Sequence, residues 1–174
     1  MGDRYELSAK RAKSQGARLG PLSTRRAWGL PLRPAIHNQL GGMNVELRKF
    51  IVETGSGIDQ HGQNVTNAAT KAVRDAIARA CMCGLSQILQ VDWKDIYVDV
   101  LIACPYPNQC DGQEAIKGIP FLNKTVAVVE GGMIAKAVVS ARFQDKSDEM
   151  YVANAAVTVS VNMDKVRENI ARGK

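Results

Sequence analysis

Glu53-Thr54-Gly55-Ser56-Gly57-Ile58-Asp59-Gln60-His61-Gly62-Gln63-Asn64 joins an apolar run, Phe50 to Val52, to a long Ala-rich segment beginning at Val65. How this stretch is read decides the fold. Three glycines admit backbone paths that a Cβ would forbid. Taken as a turn from a strand into a helix, it gathers free backbone N–H groups at one point. The same few residues hold an acid, a hydroxyl and one of the chain's two histidines.

On the C-terminal side, Asn64 suits an N-cap because its side chain can accept from an early helical N–H. Val65, Ala68, Ala69, Ala72, Val73, Ala76, Ile77, Ala80 and Cys81 then recur at three- and four-residue steps, the stripe of an amphipathic helix. Lys71, Arg74, Asp75 and Arg79 lie off it, and Asp75 with Arg79 forms a favourable i,i+4 pair. Gly84 fits just past the end, so the helix is expected over Val65 to Cys83.

On the N-terminal side, Val45 to Thr54 reads as the first strand. Further on, Asp95 to Cys104 alternates as a second strand that Pro105 and Pro107 end. Gln113 to Lys117 suits one or two helical turns. Lys124 to Val129 reads as a third strand, bulged at Gly131-Gly132 and continuing through Ile134 to Phe143. The polar run Gln144 to Glu149 turns the chain into Met150 to Met163, a fourth strand. That strand has no charge, although an exposed edge usually carries one for protection. It is therefore expected to be central or covered by another subunit. Asp164 would cap a short terminal helix, Lys165 to Arg172.

The order strand, helix, strand, short helix, strand, strand predicts an α+β domain over 43–174. Its four-stranded mixed sheet would carry the long helix on one face through right-handed crossovers, followed by a short C-terminal helix. One helix leaves the other face of a Val- and Ala-rich sheet bare, so homo-oligomerisation is expected.

Charge separates the arm from the domain. The net charge is +6, yet residues 1–42 hold eight bases against Asp3 and Glu6. That arm accounts for the whole excess, since the remaining fifteen bases and fifteen acids cancel. Nucleic-acid binding through the folded part thus has no electrostatic support. The arm has no periodic apolar pattern and reads as a disordered extension, a transit peptide, or the product of a start upstream of Met43. Without an apolar signal segment or a run of the roughly 18 apolar residues a span needs, no membrane partner is expected, and a cytoplasmic location is. An organelle is the alternative if the arm is a transit peptide. Cys81, Cys83, Cys104 and Cys110 then read as thiols serving as small buried hydrophobes. Cys81 and Cys83 lack nearby histidines and make a poor zinc site, so neither metal nor cofactor is expected.

Over Gly55 to Thr66 the sequence resembles a group of short conserved-hypothetical proteins from bacteria and plants with no assigned activity. Their hallmark is G-x-G-x-D-x-H-G-Q-[DN]-x-T followed by an Ala/Val helix. Pro105-Tyr106-Pro107, Val129-Glu130-Gly131-Gly132 and Val152-Ala153-Asn154-Ala155-Ala156-Val157 fit as well. Together these matches span roughly residues 46 to 162. The resemblance supplies no reaction.

The polar residues themselves suggest one. Neutral imidazole is a good base near pH 7, and a carboxylate can fix its tautomer. His61 is therefore a candidate acid/base, Asp59 its orienter, and Glu130 a further catalytic carboxylate if its strand neighbours the first. Gly55, Ser56 and Gly57 would form a backbone cradle, with Gly62, Gln63, Thr66, Gly131 and Gly132 as further ligand contacts. Ser56 as nucleophile is a weaker alternative, because a serine between glycines is commonly a turn residue. The spacing is neither a dinucleotide fingerprint nor a P-loop. The bland alternative is that Asp59 and His61 only brace the turn. The expected function is a small oligomeric enzyme acting on a small polar or anionic metabolite; its rival is a non-catalytic anion receptor or assembly protein.

Overall fold

The computed structural model describes residues 45–173. Everything expected of the arm 1–42 lies outside those residues. The described chain forms β1 (Leu47–Asp59), α1 (Val65–Ala78), α2 (Cys83–Gln87), β2 (Ile96–Cys104), α3 (Gly112–Ala115), β3 (Asn123–Glu130), β4 (Met133–Lys136), β5 (Glu149–Asn162) and α4 (Met163–Ala171). This is the α+β class read from the sequence. The sheet has five strands rather than four, because the break at Gly131-Gly132 divides the expected third strand into β3 and β4. Past Lys136 the strand does not continue, and Ala141–Phe143 is instead a 3-10 turn.

Strand order is β1-β5-β2-β3, with β4 also paired to β5. β5 runs antiparallel to β1 on one side and to β2 and then β4 on the other, while β2 and β3 are parallel. Its central place explains why fourteen residues carry no charge apart from Glu149 at the very start. β2 takes up Asn154 to Val161 of β5, and β4 takes up Glu149 to Val152. Gly132 makes the jog between them, with φ of +66°. A Cβ there would collide with the Val152 carbonyl oxygen.

α1 lies flat on the inner face of the sheet. Its stripe Val65, Ala68, Ala69, Ala72, Val73 and Ala76 is buried against Ala153, Ala155, Val157, Val159 and Val161 of β5 and Val98, Val100 and Ile102 of β2. Asn64 caps it as expected, its side chain accepting from Asn67 N–H at 3.1 Å. The helix is shorter than the pattern, stopping at Ala78, so Cys81 and Cys83 fall outside it and are exposed. The reading of all four cysteines as buried holds for Cys104 alone, with Cys110 half-buried. Asn162, rather than Asp164, caps α4.

The decisive stretch is strand for longer than expected. β1 continues through Gly55, Gly57 and Asp59, which face α1, while Thr54, Ser56 and Ile58 face out. Neither Gly55 nor Gly57 has positive φ. Their task is proximity. A Cβ on Gly57 would strike the backbone of Ala68 and Ala72, and one on Gly55 would strike the backbone of Ala72 and Ala76. Only hydrogen at these two positions lets a helix rest directly on a strand.

β1 is an edge strand, and α1 closes its C-terminal half, Thr54 to Ile58, with side chains. Asp75 accepts from Ser56 N–H at 2.9 Å, Arg79 donates to Thr54 C=O at 2.6 Å, and Lys71 donates to Ile58 C=O at 2.8 Å. These are backbone groups that a neighbouring strand would otherwise pair with.

Candidate functional site

The carboxyl ends of β1, β2 and β3, the start of β5 and the loops beside them share one end of the sheet. The turn Gln60–Asn64 is held there by Asp59. That side chain is buried, 4% exposed. It accepts from Asn64 N–H at 3.0 Å, the Asn67 side-chain amide at 2.5 Å and the Lys71 ammonium at 3.1 Å. A buried carboxylate needs such compensation, and these three donors supply it. The helix start thus already holds an anion, the protein's own, where an external one was expected. Gly62 passes against it so closely that a Cβ would meet Asp59 Oδ2.

His61 does not pair with Asp59. Its Nδ1 lies 3.0 Å and 3.2 Å from the two carboxylate oxygens of Asp145, in the loop before β5. A carboxylate only accepts, so Nδ1 carries the hydrogen and Nε2 is left as the acceptor of the neutral ring. The Asp145 side chain is 1% exposed and the His61 side chain 32%. Burial works against the Asp145 charge, but bonds from His61 and from Ser140 N–H at 2.8 Å outweigh it. They hold the carboxyl below its usual range. Phe143 stacks on the imidazole, ring centroids 4.3 Å apart. Gln63, with φ of 42°, stitches the turn to the same loop. Its amide donates to Glu149 C=O at 3.1 Å and its oxygen accepts from Lys146 N–H at 3.1 Å.

The other expected site residues have internal tasks. Ser56 Oγ donates to Asn154 Oδ1 at 2.8 Å on the outer face. Thr66 Oγ1 accepts from Asp111 N–H at 2.8 Å, anchoring the segment that leads into α3. Gly131 N–H donates to Cys104 C=O at 3.1 Å, and a Cβ on Gly131 would press on Ala103. Glu130 ends β3 opposite Cys104. β5 and β2 separate β3 from β1, so Glu130 stands three strand spacings, about 14 Å, from the β1 row. The expected neighbourhood of the two strands fails because β5 inserts between them.

Tyr106 also reaches this end. It sits between two prolines in the left-handed region, φ 54° and ψ 57°, and packs edge-on against Tyr151 at 5.5 Å between centroids. Burial, then Glu149 and Tyr106, push the Tyr151 phenol up, so it stays protonated. Cys104 lies beneath, its thiol pushed up to about 12 by burial and by Cys110. That removes it as a nucleophile at neutral pH. Among the described residues, no three His, Cys, Asp or Glu side chains are placed to share a metal ion.

Asp145 is the residue that sequence reasoning missed. Nothing local separates it from Asp148 or Glu149 in the same polar run, and its partner lies 84 positions away. Phe143, an aromatic side chain at the border of that run, was the one available hint.

Fold and site together define an α+β domain with a helix clamped to one sheet face and a histidine–carboxylate pair on the adjoining loops. The chain belongs to the conserved hypothetical protein family Lin0512, whose model matches residues 49–159. It is similar to the crystal structure of an FtsZ-like protein of unknown function from Nostoc punctiforme, with 39% identity and a TM-score of 0.62. That match covers 68% of this chain and 98% of the other. No curated protein matches the chain. No helix among the described residues is long and apolar enough to cross a membrane.

Proposed function

We propose that the protein is an enzyme acting on a small polar metabolite, with His61 as its general acid and base. The observation that carries this is the His61–Asp145 contact at 3.0 Å. Asp145 fixes the Nδ1–H tautomer, and Nε2 is then the basic atom of a partly exposed ring whose plane Phe143 holds. In the reaction Nε2 takes a proton from the substrate and later returns it, while Asp145 steadies the imidazolium formed between the two steps. The role first assigned to Asp59 passes to Asp145, and Asp59 becomes the anchor of the turn that carries His61. Strained backbone at Tyr106 and Gln63 beside this site supports the reading, since such conformations cluster where function requires them.

Self-association is part of the proposal. The outer sheet face presents Val52, Ile58 and Leu101 exposed, and no described helix covers it.

The test is turnover in a metabolite extract followed by mass spectrometry. Wild type should deplete one compound and accumulate another, while His61→Ala and Asp145→Asn should slow that conversion by a hundredfold or more. Wild-type and His61→Ala protein giving the same conversion would refute the assignment. A retained but unconverted compound would instead favour the anion receptor.

A further inference from the structure

We propose that the apolar pocket beneath the C-terminal end of α1 is a binding site for a small arylalkyl-ammonium compound. The pocket has a volume of about 220 Å³. An apolar cavity of about 150 Å³ already accepts a benzene ring, so this one has room for a ring and a short chain. Its floor is the sheet, at Val98 and Val157, and Met82 closes it beside the helix. One wall is the stacked pair Trp93 and Phe121, ring centroids 5.1 Å apart. Such a surface selects a flat, apolar body.

Charge selects the rest. Among the described residues, Glu53, half-buried on the inner face of β1, is the only charged one lining the pocket. Among the described residues its carboxylate makes no hydrogen bond or ion pair. Cations on neighbouring elements are already committed: Arg79 to Asp75 and to Thr54 C=O, and Lys94 to Asp92. An ammonium group on the ligand would supply the missing partner, and the Trp93 ring adds an attraction for a nearby cation. A carboxylate on the ligand would meet repulsion instead. This pocket is separate from the histidine site. Glu53 precedes Asp59 by six residues on the same strand, about 20 Å along it.

The experiment titrates the full chain with three probes by ligand-observed NMR at pH 7: 2-phenylethylamine, 3-phenylpropionate and benzyl alcohol. The amine should bind saturably and at least tenfold more tightly than the acid. Glu53→Gln should bring amine and acid within threefold of each other while leaving benzyl alcohol unchanged. Ala80→Leu, which fills the pocket, should abolish binding of all three with an unchanged circular dichroism spectrum. Independently of any filling variant, the Trp93 indole N–H resonance of wild type, assigned with Trp93→Phe, should move with the amine. Absence of saturable binding, equal binding of amine and acid, a preference that survives Glu53→Gln, or a stationary Trp93 resonance would each overturn the proposal.

Discussion

Gly57→Ala adds one methyl group where α1 meets β1, and the expected loss of stability is about 3 kcal/mol. The new Cβ would lie within 2.7 Å of Lys71 Cβ and closer still to the backbone of Ala68 and Ala72. Restoring ordinary contact at about 3.5 Å requires the helix to lift by about 1 Å. A gap of that size forfeits between a quarter and a half of the dispersion attraction of every atom pair it separates. Ala68, Ala69, Ala72 and Ala76 are all fully buried along this seam. That places the substitution at the upper end of the roughly 1–3 kcal/mol usual for overpacking. Urea unfolding followed by circular dichroism measures it, with the midpoint falling at constant slope. Because the clash is with helix backbone, Ala72→Gly in the same chain should give no rescue. Ser56→Ala, one position along and facing out, should stay within about 0.5 kcal/mol of wild type. A Gly57→Ala protein as stable as wild type would refute the packing role and return the glycine to the ligand cradle first expected of it.

Asp59→Ala leaves Asn64 N–H and the Asn67 amide without their acceptor. It should destabilise by about 3 kcal/mol at roughly 1.5 kcal/mol per bond, with little added for half-exposed Lys71; thermal and urea midpoints check this. The Asp145 carboxyl is held below its usual range when folded, so its contribution is fully present above about pH 4 and is lost as pH falls through the lower folded value. Asp145→Asn should therefore flatten the acid limb of a stability profile taken from pH 5 to pH 2.5 and leave no such difference if the pair is absent. His61→Ala takes from the buried Asp145 carboxylate one of its two donors, so it should cost more than truncating a partly exposed ring alone, and the loss should shrink as pH falls and Asp145 protonates; a urea midpoint unchanged at pH 7 would show that the pair adds nothing to the fold. Thr158→Lys on the outer sheet face should dissociate any oligomer seen by light scattering, and wild type running as a monomer at micromolar concentration would end the self-association idea.

What could be read from the sequence was local. The start of α1 was legible because Asn64 and the alanine stripe act within a few residues of one another. The central place of β5 was legible because a charge-free strand has few other homes. The path of Gly55-Ser56-Gly57 was not. Glycine, unlike Val or Ile, shows no side-chain alternation, so a strand segment pressed against a helix gives the same letters as a turn. The period of two was present, in Gly55, Gly57 and Asp59 against Thr54, Ser56 and Ile58, but without apolar side chains to mark it. The His61 partner was beyond reach for another reason. It is set by which loop folds over the sheet end, and Asp59, two residues away in sequence, was the nearer guess. The space beside Trp93 and Phe121 likewise depends on where α1 stops, which the continuing apolar pattern through Cys81 concealed.

The side chains of Asp75, Arg79 and Lys71 that close the β1 edge belong to a different element from the strand they protect. Thr54 to Ile58 of that edge are therefore shut only while α1 is docked. Any local opening that lifts the helix uncovers a strand edge and an alanine stripe in the same event, so exposure to aggregation and loss of the core are one transition. In the native molecule the closure also sets a cost on strand addition. Over Thr54 to Ile58 an incoming strand would have to displace three side-chain bonds before its own backbone could pair, and among the described residues these bonds do not extend to Leu47–Glu53.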